Sequence, residues 1–328
     1  MYSRQQRGIL PTPTTITATR GREIAHPSRR RAKWELEVVQ AIIQEVFKRQ
    51  TTGSVICTSC GVLVGVNDLQ CYNCNRRNPG LWGFAPLLRS LGGDMGFVPF
   101  VIGTCIILFA LTLLASGGEI GMGGLFSLFS PNRQSLFLFG ASGAIPVFVA
   151  DRWWTVLSAS WLHGGALHIL FNMMWIRQLA PPTASLYGPG RMVIIYTAAG
   201  VAGFALSSFA GAYLPNILFL RGGQFTVGAS ASIFGLLGAL VYYGRRSGSS
   251  AVGSEALTYA LMLGFFGFIM PGVDNYAHAG GFGGGFLAAR ILDPLKPERI
   301  DHIAIAVACL AASVLAVLAS VLHGFQFF

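Results

Sequence analysis

Residues 226–240 read T-V-G-A-S-A-S-I-F-G-L-L-G-A-L. The stretch opens on Gly228, Ala229 and Ser230 and runs on in apolar and small residues, as a bilayer-crossing helix does. A serine at the mouth of such a helix needs a reason, because polar groups in a membrane interior are costly and mark function by default. Two further stretches supply one. Residues 161–174 read W-L-H-G-G-A-L-H-I-L-F-N-M-M, and residues 274–285 read D-N-Y-A-H-A-G-G-F-G-G-G. A serine on one helix, a histidine on another and a histidine/asparagine pair on a third are the parts of acyl transfer: nucleophile, base and oxyanion donors.

Together these segments resemble the rhomboid family of intramembrane serine proteases. The resemblance rests on His163, His168 and Asn172, on Gly228, Ser230 and Phe234, and on Ala277, His278, Gly281 and Gly285, in that order along the chain. It covers roughly residues 90–295. It implies a six-helix core, transmembrane proteins as substrates and catalysis without a cofactor. There are two departures. The family's common G-A-S-G is here G-A-S-A, with Ala231, whose methyl group crowds the pocket slightly. Its common W-R in the first loop is here Trp153, Trp154 and Thr155, with Arg152 preceding the pair, which leaves the anchoring of this loop open.

Composition agrees with a bilayer. Only 11% of residues are charged and 53% are apolar, with a mean hydropathy of +0.57, whereas a soluble domain carries about a quarter charged residues. Seven stretches are apolar enough to cross: about 97–115, 156–178, 190–213, 227–244, 255–271, 276–293 and 302–323. Several are rich in Gly and Ala, which favours close helix packing over lipid exposure. The last has no polar centre and reads as a helix added outside the catalytic core. Lys and Arg near the ends set the orientation. Arg177, Arg191, Arg245, Arg246, Arg290, Lys296 and Arg299 fall on one side, and Arg133, Arg152 and Arg221 on the other. The N-terminus is therefore expected inside, and Ser230, His278, His168 and Asn172 at one depth near the outer surface. The first loop, about 116–152, is expected partly in the interface through Phe126, Phe129, Phe137 and Phe139.

The residue types define the expected chemistry. His278 is the base for Ser230. Gly281 and Gly285 share its helix face and, with Gly235 and Gly238 opposite, let the two helices approach. Phe234, one turn below Ser230, is placed to pack on the imidazole. Apart from Asp293 at the far end of 276–293, no carboxylate lies within the spans that carry Ser230, His278 and His168, and Asp274 is in the preceding loop, so a Ser–His dyad is expected instead of a triad. His168 and Asn172, four apart, are donors for the oxyanion together with the Ser230 N–H. His163 is expected to hydrogen-bond the loop in place. Residues 140–144, Gly-Ala-Ser-Gly-Ala, imitate the nucleophile motif, but Ser142 heads no long apolar helix and is read as loop structure. Ser232 is read as packing.

Ahead of the spans, residues 1–96 hold 13 of the 23 Lys and Arg. Residues 1–32 read as a disordered basic tail with no cleavable signal peptide. Residues 33–50 read as an amphipathic helix, packed on the next module or lying on the membrane surface. Cys57, Cys60, Cys71 and Cys74 form two C-x-x-C knuckles over residues 51–80, a spacing that presents four thiolates to one structural Zn²⁺ and resembles short zinc ribbons. A redox C-x-x-C and a pair of disulfides are the alternatives. With few interleaved aromatics around Arg76 and Arg77, a structural or protein-contact module is expected and nucleic acid is not. Cys105 and Cys309 read as packing residues.

The sequence thus predicts an all-α polytopic membrane protein. A small four-cysteine zinc ribbon precedes a six-helix core at 90–295, and 296–328 adds a seventh helix. The expected activity is that of an intramembrane serine endopeptidase in the plasma (inner) membrane, with a cytoplasmic N-terminus and a site opening outward. The alternative is a catalytically silent relative that binds membrane clients. A small-solute transporter is a third class, but no inverted repeat is visible.

Overall fold

The computed structural model describes residues 49–86, 92–123, 128–215, 222–270 and 272–327. The tail expected at 1–32, most of the helix expected at 33–50, and Phe126 and Arg221 lie outside the described residues. The described part begins with a hairpin of β1 (Ser54–Ile56) and β2 (Leu63–Gly65), paired antiparallel with Val55 opposite Val64. Gly61 and Asn75 close the two cysteine knuckles in the left-handed conformation, at φ 77° and 57°. Both residues tolerate that region well, and each N–H returns to the first cysteine of its knuckle, Cys57 or Cys71.

Among the described residues seven long helices follow: α1 (Phe97–Ala115), α2 (Ala166–Tyr187), α3 (Pro189–Tyr213), α4 (Ser230–Ser247), α5 (Ser250–Ile269), α6 (Asn275–Ile291) and α7 (Ile300–Gly324). α1, α3, α5 and α7 are each long and apolar enough to cross a membrane on that ground alone. The chain is a multi-pass membrane protein. α4 sits at the centre, with every residue from Ala231 to Val241 buried. α6 packs most closely on it and on α3, with α5, α3 and α2 completing the surround of α4. Glycine sets the spacing. The α6 backbone at Gly281 lies against the Ala231 carbonyl, Gly285 lies against Gly235, and Gly238 faces the Phe282 carbonyl, with no room for a Cβ at any of the three.

The second span departs from its expected limits. Residues 155–161 form separate short turns, Leu162 is extended, and α2 begins only at Ala166. The Gly164-Gly165 pair separates the two, since glycine is a poor helix former. α2 then continues past 178 to Tyr187 through Pro181 and Pro182. Each proline removes one hydrogen bond to the carbonyl four residues back. Those carbonyls belong to Arg177 and Gln178, which lie toward the end of the helix opposite His168.

The first loop is more embedded in protein than expected. Phe137 packs on Phe225 and Phe327, and Phe139 on the main core. Phe129, Phe148, Val149 and Trp153 are exposed apolar side chains there.

Candidate active site

The N-termini of α2, α4 and α6 lie at one end of the bundle and bring the three motifs together. Ser230 is the first residue of α4, so its N–H lies outside the helix's own ladder, at the positive end of the helix dipole. His278 is in the first turn of α6, and its Nε2 lies 2.9 Å from Ser230 Oγ. The Phe234 ring stacks on the imidazole, with centroids 4.2 Å apart and planes 18° from parallel. The buried His278 Nδ1 has no hydrogen-bond partner among the described residues. Stacking on Phe234 orients the imidazole, and no carboxylate among the described residues hydrogen-bonds to it.

His168 and Asn172 begin α2 beside this pair. The Gly164 N–H donates to His168 Nδ1 at 3.3 Å, which leaves the proton on Nε2. That edge of the ring faces Gly228, where an added Cβ would lie 2.6 Å from both Nε2 and Cε1. Gly228 is left-handed at φ 130°, and its N–H donates to the Ala159 carbonyl at 2.9 Å. Asn172 is buried; one amide hydrogen goes to the His168 carbonyl at 2.7 Å, and the second is unspent. The Ser230 N–H at the start of α4, and His168 and Asn172 at the start of α2, are thus the donors this end of the bundle offers beside His278.

His163 is fully buried beside the Trp161 backbone, and its ring packs edge-on against His168, with centroids 5.2 Å apart. It supports the His168 ring by shape. Ser142 is fully buried in the first loop, paired to Thr226 through both backbone hydrogen bonds. Ser232 points away from Ser230, toward Gly200 and Ser160.

Asp274 carries more than its loop position promised. Its carboxylate caps α6 by accepting the Ala277 N–H at 2.9 Å. Its other oxygen accepts from Ser207 on α3, which also takes the Gly223 N–H at 2.9 Å. An aspartate three residues before Ala277, at the start of an apolar run, is a helix-start signal. Ser207 has no such signal.

In the ribbon, the four cysteine sulfurs lie within 4.8 Å of one another. Cys57 and Cys74 are 3.7 Å apart, and Cys60 and Cys71 3.6 Å. Metal–sulfur bonds of about 2.3 Å in a tetrahedron give edges of about 3.8 Å, so the four residues fit one zinc ion. Burial opposes ionisation of Cys60, but the Val62 N–H, the Asn73 side chain and neighbouring thiols outweigh it and lower its pKa to about 6. Burial, then the thiols around it, push Cys74 up to about 12. Four sulfurs this close cannot all be thiolates unless a cation sits among them.

Residues 150–294 match the family model of the Rhomboid domain. The chain is 33% identical over 166 residues to Rhomboid protease GluP of Bacillus subtilis (strain 168), covering 50% of this chain and 30% of that protein. It is 33% identical over 173 residues to RHOMBOID-like protein 4 of Arabidopsis thaliana, covering 50% of this chain and 40% of that one. Inactive RHOMBOID-like protein 8 of Arabidopsis thaliana is 29% identical over 137 residues, or 39% of this chain and 35% of the relative. The matched stretches thus span less than half the length of each of these relatives.

Proposed function

The chain belongs to the rhomboid family, and from that premise we propose that it is an intramembrane serine endopeptidase working through Ser230 and His278. The observation that carries this reading is the 2.9 Å approach of His278 Nε2 to Ser230 Oγ. A neighbour named as inactive at 29% identity means that fold alone does not decide activity; here both members of the dyad are present and within hydrogen-bond reach.

His278 takes the Ser230 proton as Oγ attacks the scissile carbonyl. The new oxyanion is received by the Ser230 N–H, His168 Nε2–H and Asn172 Nδ2–H. His278 then returns its proton to the leaving amine, and the acyl-enzyme is cleared by water through the same base. The peptide bond must be free of its own helix to reach Oγ, which favours transmembrane substrates weakened by small or helix-breaking residues. α5 is the element that opens to admit them. It buries only Ala256, Ala260 and Gly267 and meets α2 through Trp175 and Tyr259, whose rings are 5.4 Å apart.

The protein sits in the plasma (inner) membrane with the ribbon in the cytoplasm and the dyad toward the outside. Charge supports this orientation. The ribbon's Ser59 hydroxyl donates to the Glu298 carbonyl between α6 and α7, on the end that carries Arg245, Arg246 and Arg290. Cys57, Cys60, Cys71 and Cys74 hold one structural Zn²⁺; catalysis uses none.

The test is cleavage of a model transmembrane substrate by the purified protein. Ser230→Ala should abolish it, while Ser142→Ala and Ser232→Ala retain most of it, and a fluorophosphonate probe should label Ser230. Labelling at Ser142, or neither cleavage nor labelling in folded protein, would overturn the proposal.

A further inference from the structure

Arg152 is a fully buried side chain in a loop that contains none of Ser230, His278, His168 and Asn172. An unpaired cation there would be costly, so the destinations of its donors matter. Nη1 donates to the Phe137 carbonyl at 2.6 Å. Nη2 donates to the Ser320 carbonyl of α7 at 2.7 Å and, at 3.4 Å, to Leu138. The guanidinium also lies over the Phe137 ring, 4.1 Å from its centroid. Trp154 repeats the link, its Nε1–H donating to Ser320 Oγ at 3.1 Å. Gly140 is pressed against the same residue, where a Cβ would lie 2.5 Å from Ser320 Oγ. These contacts fasten residues 137–154 of the first loop to the last turns of α7.

The fastened loop leads to the site. Ser142 and Thr226 exchange both backbone hydrogen bonds, at 3.0 and 2.8 Å, and the Ala144 N–H donates to the Gly223 carbonyl at 2.8 Å. Thr226 is two residues before Gly228, which lies against the working edge of His168, and four before Ser230. Each link in this path is a direct contact between packed elements.

We propose that Arg152 is a positioning residue for the oxyanion site: it ties the first loop to α7, and through the Ser142–Thr226 pairing the loop holds Gly228 and Ser230 in register with His168. α7 is then a working part of the catalytic assembly. The proposal rests on the protease reading above for its kinetic part, but the clamp itself can be read without activity.

The experiment uses the full chain in detergent. Arg152→Lys keeps the charge but loses the planar fork that reaches carbonyls on two elements. Ser320→Val leaves Arg152 in place and wedges α7 away from Gly140. Both should speed amide exchange at Ser142 and Thr226, and both should lower kcat and the rate of fluorophosphonate labelling about 10–10²-fold with KM little changed. Leu322→Ala, on an exposed face of α7, should change none of these. Should Arg152→Lys fail to fold, Ser320→Val decides alone. If the folded variants keep wild-type exchange and labelling, Arg152 is only structural and the proposal fails. If the wild type neither cleaves nor labels while exchange still rises in the variants, the clamp stands and it is the protease reading that is lost.

Discussion

At Gly228 the site tolerates no side chain for two separate reasons. Its φ of 130° is unfavourable for any residue with a Cβ, and that Cβ would press on the His168 ring. Gly228→Ala should therefore displace the ring and lower kcat by about 10²-fold; unchanged turnover would mean that His168 is not a donor. Asn172→Ala removes the proposed oxyanion donor, so kcat and kcat/KM should fall together by roughly 10–10³-fold. The helix should stay folded, because a polar group leaves a buried position; unfolding with no kinetic effect in the folded fraction would make Asn172 structural. Single residues are the most legible level of the sequence. Ser230, His278, His168 and Asn172 stand out because polar groups among apolar neighbours are conspicuous. His163 looks the same by that criterion, yet its ring meets the edge of His168 and not the Ser230–His278 pair. Sequence shows which side chains are polar and not where their donors end. Arg152 illustrates the limit, since its partner Ser320 lies 168 residues away.

Between elements, separation decides whether Ser230 and His278 come within hydrogen-bond reach. Gly285 lies against Gly235, and Gly285→Leu drives α6 from α4 and breaks the Ser230–His278 hydrogen bond. Cleavage should be lost and thermal stability should fall, overpacking of this kind costing about 1–3 kcal/mol. Normal cleavage by this variant would show that the glycine face does not set the spacing. A gentler change acts through the cap. Asp274→Ala removes the acceptor for the Ala277 N–H one turn from His278 and should destabilise by about 1 kcal/mol, with Asn restoring most of it; equal stability of the Ala and Asn variants would rule out capping. Gly-rich periodicity makes the α4–α6 contact readable in advance. The start of α2 is not readable in the same way, because the mostly apolar run from Val156 through Leu162 joins the later span and only Gly164-Gly165 marks the break. The spans that carry the dyad are also among the least apolar, as burial in protein replaces contact with lipid; among the described residues only α1, α3, α5 and α7 qualify as spans by length and apolarity.

Over the whole molecule, the ribbon and the bundle depend on different forces. The bundle buries a continuous apolar core, whereas the ribbon's own cluster is little more than Val55, Val64, Val66, Ala85 and the cysteines. So small a core does not offset its chain entropy, and the Zn²⁺ proposed for the four cysteines would supply the difference, on the order of 10 kcal/mol. The ribbon meets the bundle at Glu298: Ser59 donates to its backbone carbonyl, the buried Arg76 guanidinium favours its charged carboxylate, and that carboxylate accepts the Arg191 N–H of α3 at 2.9 Å. Stripping the metal should therefore unfold the ribbon and leave the bundle intact. The purified chain should carry about one Zn²⁺, the number that a single site of four thiolates takes. Cys57→Ser or Cys74→Ser should lose it, and residues 51–80 should then become sensitive to protease while α1 to α7 stay resistant. Retention of metal in those variants would refute the site. Disulfides among these cysteines in cells would remove both the zinc and the cytoplasmic placement of the N-terminus, because such bonds persist in oxidising compartments and not in the cytoplasm.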